Sequence, residues 1–309
     1  MAALALPPDD EVLLDAGRDQ LVVLDPLGFL VGRRLVDGRS AWRLQARGGA
    51  GFETRLVARR GERVVVCGVE RPGGDVHGPP TAPTLARVEL HAVGDAPALD
   101  EDGAVEGDTC LADVLRPAPG TRFARHGDAL ALASRDRVHL LDLAHGLAVR
   151  RGLAPFEPFE PRALAFDEAG RLLLVAAVAG DALLLWGLTQ GGERGLQVAL
   201  PAGLGPAIAP PVCGPEGRVY VEDARHLLAF EADGRLAWGR LARGVAGAVV
   251  AACGAVVATL DGVVVALDAR GNLRELARAD EPFVTGPALL DDGRLLVAGA
   301  RALHAFAPA

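Results

Sequence analysis

Apolar residues along this chain come in short runs broken by Gly, Asp and Pro. The segment RVYVEDARHLLAFEADGRLAW (Arg218 to Trp238) reads as strand, short turn, strand, Gly turn, strand. GAVVATLDGVVVALDARGNLREL (Gly254 to Leu276) repeats the plan, and GRLLVAGARALHAFAPA (Gly293 to Ala309) repeats it again. The second run of each unit, LALAS, LLLVAA, VYVED, VVATL or LLVAG, is apolar at every position or nearly so. Such a strand is covered on both faces, not on one. DEAG, PEG, DDG, ADG and ARG stand between the runs, and in each the Gly or Asp supplies the positive φ of a tight hairpin.

Self-similarity at a period of about 40 residues, made only of short strands, is the signature of a β-propeller. The fold expected is therefore all-β: seven blades of four antiparallel strands in one domain, 1–309. The blades fall near 1–51, 52–121, 122–158, 159–206, 207–246, 247–283 and 284–309. The N-terminus is read as opening its own blade with an inner strand from Ala2 to Leu6, and the chain stops after the third strand of the last blade. That blade either takes its outer strand from the Met1 segment or keeps an open edge through which the chain could self-associate. Gly38 to Gly48 (GRSAWRLQARG) resembles Gly234 to Gly244 (GRLAWGRLARG) and is read as an outer strand. Glu70 to Thr84 and Gly94 to Gly120 are read as loop insertions in the second blade.

Composition narrows the function classes. All 32 basic residues are Arg, which removes lysine chemistry, and the net charge of −8 disfavours nucleic acid and membrane surfaces as partners. No basic leader precedes the first acids, and Cys67, Cys110, Cys213 and Cys253 lack CxxC spacing. Both features lead us to expect a reducing, cytoplasmic setting. Val245 to Leu260 is uncharged but too short and too Gly-broken for a spanning helix, so two buried strands are expected there.

The run LLAFEADGRLAW (Leu227 to Trp238) resembles the repeat of quinoprotein-type (PQQ-type) propellers: apolar strand, acid, Gly turn, closing Trp. VVALDARGNLREL and LVVLDPLGFL are degenerate copies. Members of that family include quinone-dependent dehydrogenases, outer-membrane assembly scaffolds and accessory propellers of cytoplasmic ATPase systems. This chain lacks the adjacent cysteines of the enzymes, so the resemblance implies a bacterial member of the non-catalytic branch. WD-type propellers are less similar, since no Gly-His…Trp-Asp pair occurs.

Candidate chemistry is sparse. Ser40 and Ser134 are the only serines, and neither lies in GxSxG. None of the seven His pairs as HxH or HxxxH; His139, His226 and His304 fall at comparable third-strand positions and read as structural or surface residues. No metal, cofactor or catalytic residue is therefore expected. The innermost strands, read as ALAL, RALAF, PPVC, AVVAA and PALL, are apolar, which counts against a ligand or metal-dependent enzyme site in the channel. Arg55, Arg59, Arg60 and Arg63, with Arg33, Arg34, Arg150 and Arg151, are assigned to exposed outer strands and turns. The function expected is a protein-interaction scaffold whose loops meet partner proteins. Contact residues expected are Arg71, Asp75 and His77 in the first insertion, Asp100, Glu101 and Asp102 in the second, and Phe156 and Phe159 of the PFEPFEP connector. The other reading of that connector is a rigid segment whose rings plug the space between the third and fourth blades.

Overall fold

The computed structural model describes residues 2–5, 11–13, 20–24, 29–34, 39–45, 52–60, 63–70, 85–92, 105–110 and most of 121–306, and the statements below concern those residues. In chain order the strands are β1 (Ala2–Ala5), β2 (Glu11–Leu13), β3 (Gln20–Leu24), β4 (Phe29–Arg34), β5 (Ser40–Gln45), β6 (Phe52–Arg60), β7 (Arg63–Glu70), β8 (Leu85–Ala92) and β9 (Val105–Cys110). Next come β10 (Arg122–His126), β11 (Ala129–Ala133), β12 (Val138–Asp142), β13 (Ala148–Leu153), β14 (Glu160–Phe166), β15 (Leu172–Ala177), β16 (Leu183–Leu188) and β17 (Arg194–Ala199). The remainder are β18 (Val212–Cys213), β19 (Val219–Glu222), β20 (His226–Phe230), β21 (Leu236–Leu241), β22 (Ala248–Val250), β23 (Val256–Leu260), β24 (Val263–Leu267), β25 (Leu273–Arg278), β26 (Ala288–Leu289), β27 (Leu295–Ala298) and β28 (Ala302–Phe306).

These strands form seven four-stranded sheets. Six are meanders of consecutive strands: sheet 1 (β2–β5), sheet 2 (β6–β9), sheet 3 (β10–β13), sheet 4 (β14–β17), sheet 5 (β18–β21) and sheet 6 (β22–β25). Sheet 7 has the order β1-β28-β27-β26. Ala2 to Ala5 pair antiparallel with Ala305 to Ala302, so the N-terminal strand is the outer strand of the last sheet. It does not open a sheet of its own, as the sequence reading had it. The edge of β28 that would have stood open is occupied by β1.

Gly94 to Gly120 also needs correcting. β9 lies inside it and pairs with β8 as the fourth strand of sheet 2, so this stretch is not loop throughout. The sequence VEGDTC carries no apolar alternation, which is why pattern reading missed it. β5 is the outer strand expected from its likeness to the Trp238 segment.

The chain divides into two compact units, one of Met1–Pro8 with Arg162–Ala309 and one of Asp9–Pro161. Second strands are buried along their length: β15, β19 and β27 throughout, and β11 from its second residue on. Within each unit the cores lie between consecutive sheets. Val65 and Cys67 of sheet 2 pack with Leu130, Leu132 and Leu141 of sheet 3. Leu173, Leu185 and Val198 of sheet 4 pack with Val219, Leu228 and Phe230 of sheet 5. Sheets 5 and 6, and sheets 6 and 7, share cores in the same way. Each fully buried Leu contributes about 1.5–3 kcal/mol by leaving water.

The hairpin turns behave as their composition predicts. Gly170, Gly217, Gly234, Gly271 and Gly293 have φ between 75° and 88°, a region closed to most side chains. A feature invisible in the sequence recurs between third and fourth strands. Sheets 1 to 6 each carry a register shift there, with one extra residue on the outer strand. Bulges of this kind increase local twist and bend the outer strand.

Candidate interaction surfaces and polar clusters

Arg71, Asp75, His77, Asp100, Glu101, Asp102 and Phe156 lie outside the described residues. Phe159 is 2% exposed. Its ring is therefore unavailable as an exposed anchor.

The inner-strand reading changes in the Asp9–Pro161 unit. ALAL belongs to β11, a second strand; the first strand of sheet 3 is β10, RFARH. The first strand of sheet 2 is β6, FETRLVARR, so Arg55, Arg59 and Arg60 sit on a first strand and not on an outer one. β6 and β10 are neighbours. In the other unit β18, β22 and β26 are short and apolar, as expected, and β22 neighbours both of the others.

Several described carboxylates of the Arg162–Ala309 unit are turned onto the chain's own turns and arginines. Asp167 accepts the Arg171 backbone N–H at 2.7 Å and Arg171 Nε at 2.8 Å. Asp268 accepts the N–H groups of Arg270 and Asn272 and Asn272 Nδ2, all at 2.8 Å. The Asn272 side chain and these N–H groups hold the Asp268 carboxyl below its ordinary pKa. Glu231, the acid of the quinoprotein-like run, accepts Arg218 Nη2 at 2.6 Å and Nε at 3.3 Å. Arg218 Nη1 also donates to the Ala269 carbonyl of sheet 6 at 2.6 Å. The Trp of that run, Trp238, donates its indole N–H to the same carbonyl at 3.2 Å and covers Gly271. The motif thus ties sheet 5 to the β24–β25 turn.

Two acid–imidazole pairs stand out. Asp223 is buried and accepts the N–H groups of Arg225 (2.8 Å), His226 (2.6 Å) and Gly205 (2.6 Å), with His226 Nδ1 at 3.0 Å. Burial raises the Asp223 pKa, but these hydrogen bonds outweigh it and the carboxyl sits below its ordinary value. Glu281 is also buried; it accepts the Arg301 N–H at 2.7 Å and lies 2.7 Å from His304 Nε2. The Glu281 balance has the same form: burial raises the pKa, while His304 and Arg301 lower it by more. An Asp–His pair is half of a hydrolytic triad. However, neither serine lies in the unit that carries His226, and Ser134 is buried. The imidazoles act here as turn supports. Sequence reading put three His at comparable positions; His139 and His304 do match, two residues into their third strands from the turn-closing residue, whereas His226 closes its turn.

A cleft of about 410 Å³ lies between the β14–β15 and β18–β19 turns, lined by Asp167, Glu168, Arg171, Cys213 and Gly214 among others. Arg171 Nη2 stands 3.5 Å from Cys213 Sγ. Burial raises the Cys213 thiol pKa despite that guanidinium, so the group is a thiol and not a ready nucleophile. Cys67 is fully buried and its pKa is pushed far higher by desolvation. Among the described residues no group of three or more His, Cys, Asp or Glu could hold a metal, and no helix is long and apolar enough to cross a membrane.

No family model and no curated protein matches this sequence. Solved structures do resemble it. BamB from Moraxella catarrhalis, a PQQ-like propeller, aligns with a TM-score of 0.61 at 14% identity, over 96% of this chain and 86% of that one. A WD40 propeller from a structure of the mitotic checkpoint complex aligns with a TM-score of 0.68 at 13% identity, over 98% of this chain and 90% of that one. The all-β sheets and these likenesses together establish the β-propeller fold.

Proposed function

We propose that this chain is a non-enzymatic scaffold: one ring of seven blades, in a cytoplasmic bacterial assembly, holding partner proteins against a rigid frame. The boundaries follow the sequence reading, with residues 2–5 moved to the last blade. The observation that carries the proposal is the disposition of the carboxylates. Asp167, Asp223, Glu231, Asp268 and Glu281 each grip a turn or a neighbouring arginine, an arrangement that makes a stiff frame and leaves recognition to other surfaces. The likeness to a propeller from a structure of the mitotic checkpoint complex supports the same reading. Its test is affinity capture with chemical cross-linking from native lysate, comparing the full chain with one lacking Pro72 to Pro83. A specific protein retained by the full chain and lost from the deletion is the expected result. Capture of nothing by the full chain refutes the scaffold.

A second reading has one specific observation behind it. Arg55, Arg59 and Arg60 on β6 and Arg122, Arg125 and His126 on the neighbouring β10 place basic residues on adjacent first strands. That arrangement suits an anionic small ligand. A thermal-shift panel of phosphates and carboxylates tests it: a saturable rise in melting temperature abolished by Arg59→Ala supports it, and no shift removes it.

A further inference from the structure

The three large apolar residues most exposed among those described are Leu236 at 51%, Leu241 at 85% and Leu273 at 46%, all on outer strands. Two of them are on β21. The contrast with sheet 4 is direct. β17 buries Leu196 and Val198, and Leu200, whose N–H bonds to the Leu183 carbonyl at the start of the third strand, is 8% exposed. Leu241 holds the corresponding place, opposite His226 at the start of its third strand, and stands in solvent.

Register shows what this edge offers. Leu236 pairs with Phe230, Gly239 with Leu228 and Leu241 with His226, while Ala237 is the extra residue of the bulge. The β20 partners are two residues apart, so Leu236, Gly239 and Leu241 share one face of the sheet. Trp238 and Arg240, opposite Ala229 and Leu227, share the other. Arg240 is exposed, and its side chain has no partner among the described residues. β21 ends the strand order of sheet 5, so the outward backbone groups of this edge meet no strand among the described residues. The edge is also held in place: Trp238, on β21 itself, donates to the Ala269 carbonyl at the β24–β25 turn. A pre-ordered strand loses little freedom on pairing.

We propose that the β21 edge receives an extended segment of a partner protein, which adds to sheet 5 as a further antiparallel strand. The chemistry of that segment follows from the two faces. Its residues on one face are apolar and cover Leu236 and Leu241 across the gap left by Gly239. Its residue opposite Arg240, on the other face, is Asp or Glu. Charge favours such a partner over a second copy of this chain, because two β21 edges brought together would gather Arg240 from both copies with no acid on the strand to answer it. The proposal rests on the scaffold reading and names one of its surfaces.

The probe is a short fluorescein-labelled peptide alternating Leu with Glu, followed by anisotropy against the full chain, with hydrogen exchange read at the β21 amides. Binding with protection of Trp238 to Leu241 is expected. Leu241→Asp and Arg240→Glu should each weaken it by about tenfold or more, and a Leu/Arg peptide should regain affinity for the Arg240→Glu protein. Methylating alternate peptide amides should abolish binding, since main-chain hydrogen bonds carry strand addition. Leu241 and Arg240 are exposed, and thermal melts of the variants confirm their folding. Three results overturn the proposal: binding indifferent to both substitutions, no protection at β21, or a wild-type dimer in light scattering that Leu241→Asp dissolves. If affinity capture retains a partner equally with wild type and Leu241→Asp, this surface fails while the scaffold reading stands.

Discussion

Sheets 5 and 7 meet the same requirement from opposite sides. In each, a turn joins the second strand to the third, and its first residue bridges to the segment entering the sheet: Asp223 to Ile208, and Gly299 to Phe283. The turns superpose in their hydrogen bonds, with Asp223 N–H donating to the His226 carbonyl and Gly299 N–H to that of Ala302. Both carry an arginine two residues on, Arg225 and Arg301, whose backbone N–H a carboxylate accepts. In sheet 5 that carboxylate belongs to the turn and reaches out to Gly205 in the entering segment. In sheet 7 it belongs to the entering segment and reaches in from Glu281. A Cβ on Gly299 would stand 2.5 Å from the Glu281 carboxyl carbon, so the glycine is the counterpart of the transferred acid. The repeat preserves a satisfied backbone donor and a tethered segment, while the residue that provides them changes place.

The strongest way to break the comparison is at Gly299. Gly299→Ala should lower stability by about 2–3 kcal/mol, since the carboxyl must leave its donors or the turn must move. Glu281→Ala should cost about the same, leaving the Arg301 N–H and His304 Nε2 without their acceptor. The sharper test is Glu281→Ala with Gly299→Asp, which writes the sheet 5 arrangement into sheet 7. It should recover at least about 1 kcal/mol over Glu281→Ala alone, read by denaturant unfolding as a double-mutant cycle. Additive losses would mean that the two sheets are not equivalent.

Asp223→Ala should cost about 2 kcal/mol by the same logic. Acid titration reports both carboxylates together. Asp223 and Glu281 are held below their ordinary values, so their contribution is present above the unfolded-state carboxylate range, near pH 4, and is lost as pH falls through the folded values. Wild type should therefore lose more stability between about pH 5 and pH 2 than an Asp223→Asn, Glu281→Gln double variant. Parallel curves would remove the carboxylates from the account.

Much of the fold was legible because a strand buried on both faces leaves a plain mark. LLLVAA and VYVE have no reading but a strand covered on both faces, and the Gly of ADG or ARG marks the residue that needs positive φ. What stayed hidden depends on contacts distant in sequence. Nothing in MAALA says that it completes a sheet begun at Ala288, and VEGDTC forms β9 because β8 offers it an edge. The acidic turn pairs were hidden differently. Asp223 and His226 are three residues apart and read as an ordinary turn; Glu281 and His304 are 23 apart, and only the fold joins them. The basic first strand β10 was missed because the more apolar ALALA beside it fitted the expected inner strand better.

The finest distinction between the two sheets lies in their imidazoles. His304 is buried, stacks on Phe306 and meets Phe283 edge-on, with Nε2 on Glu281. His226 has 28% of its side chain exposed, and its Nδ1 on Asp223 adds to three backbone N–H groups already bound there. Removing an imidazole should therefore have unequal consequences. His304→Ala empties a packed site and deprives a buried carboxylate of its closest side-chain donor, at about 2–3 kcal/mol. His226→Ala leaves Asp223 with its backbone donors and should cost no more than about 1 kcal/mol, because an exposed partner is replaced by water. Thermal unfolding of the two variants side by side measures the difference. Equal losses would show that the imidazole, and not the backbone, holds Asp223 in place, and the two turns would then be alike in their chemistry as well as in their geometry.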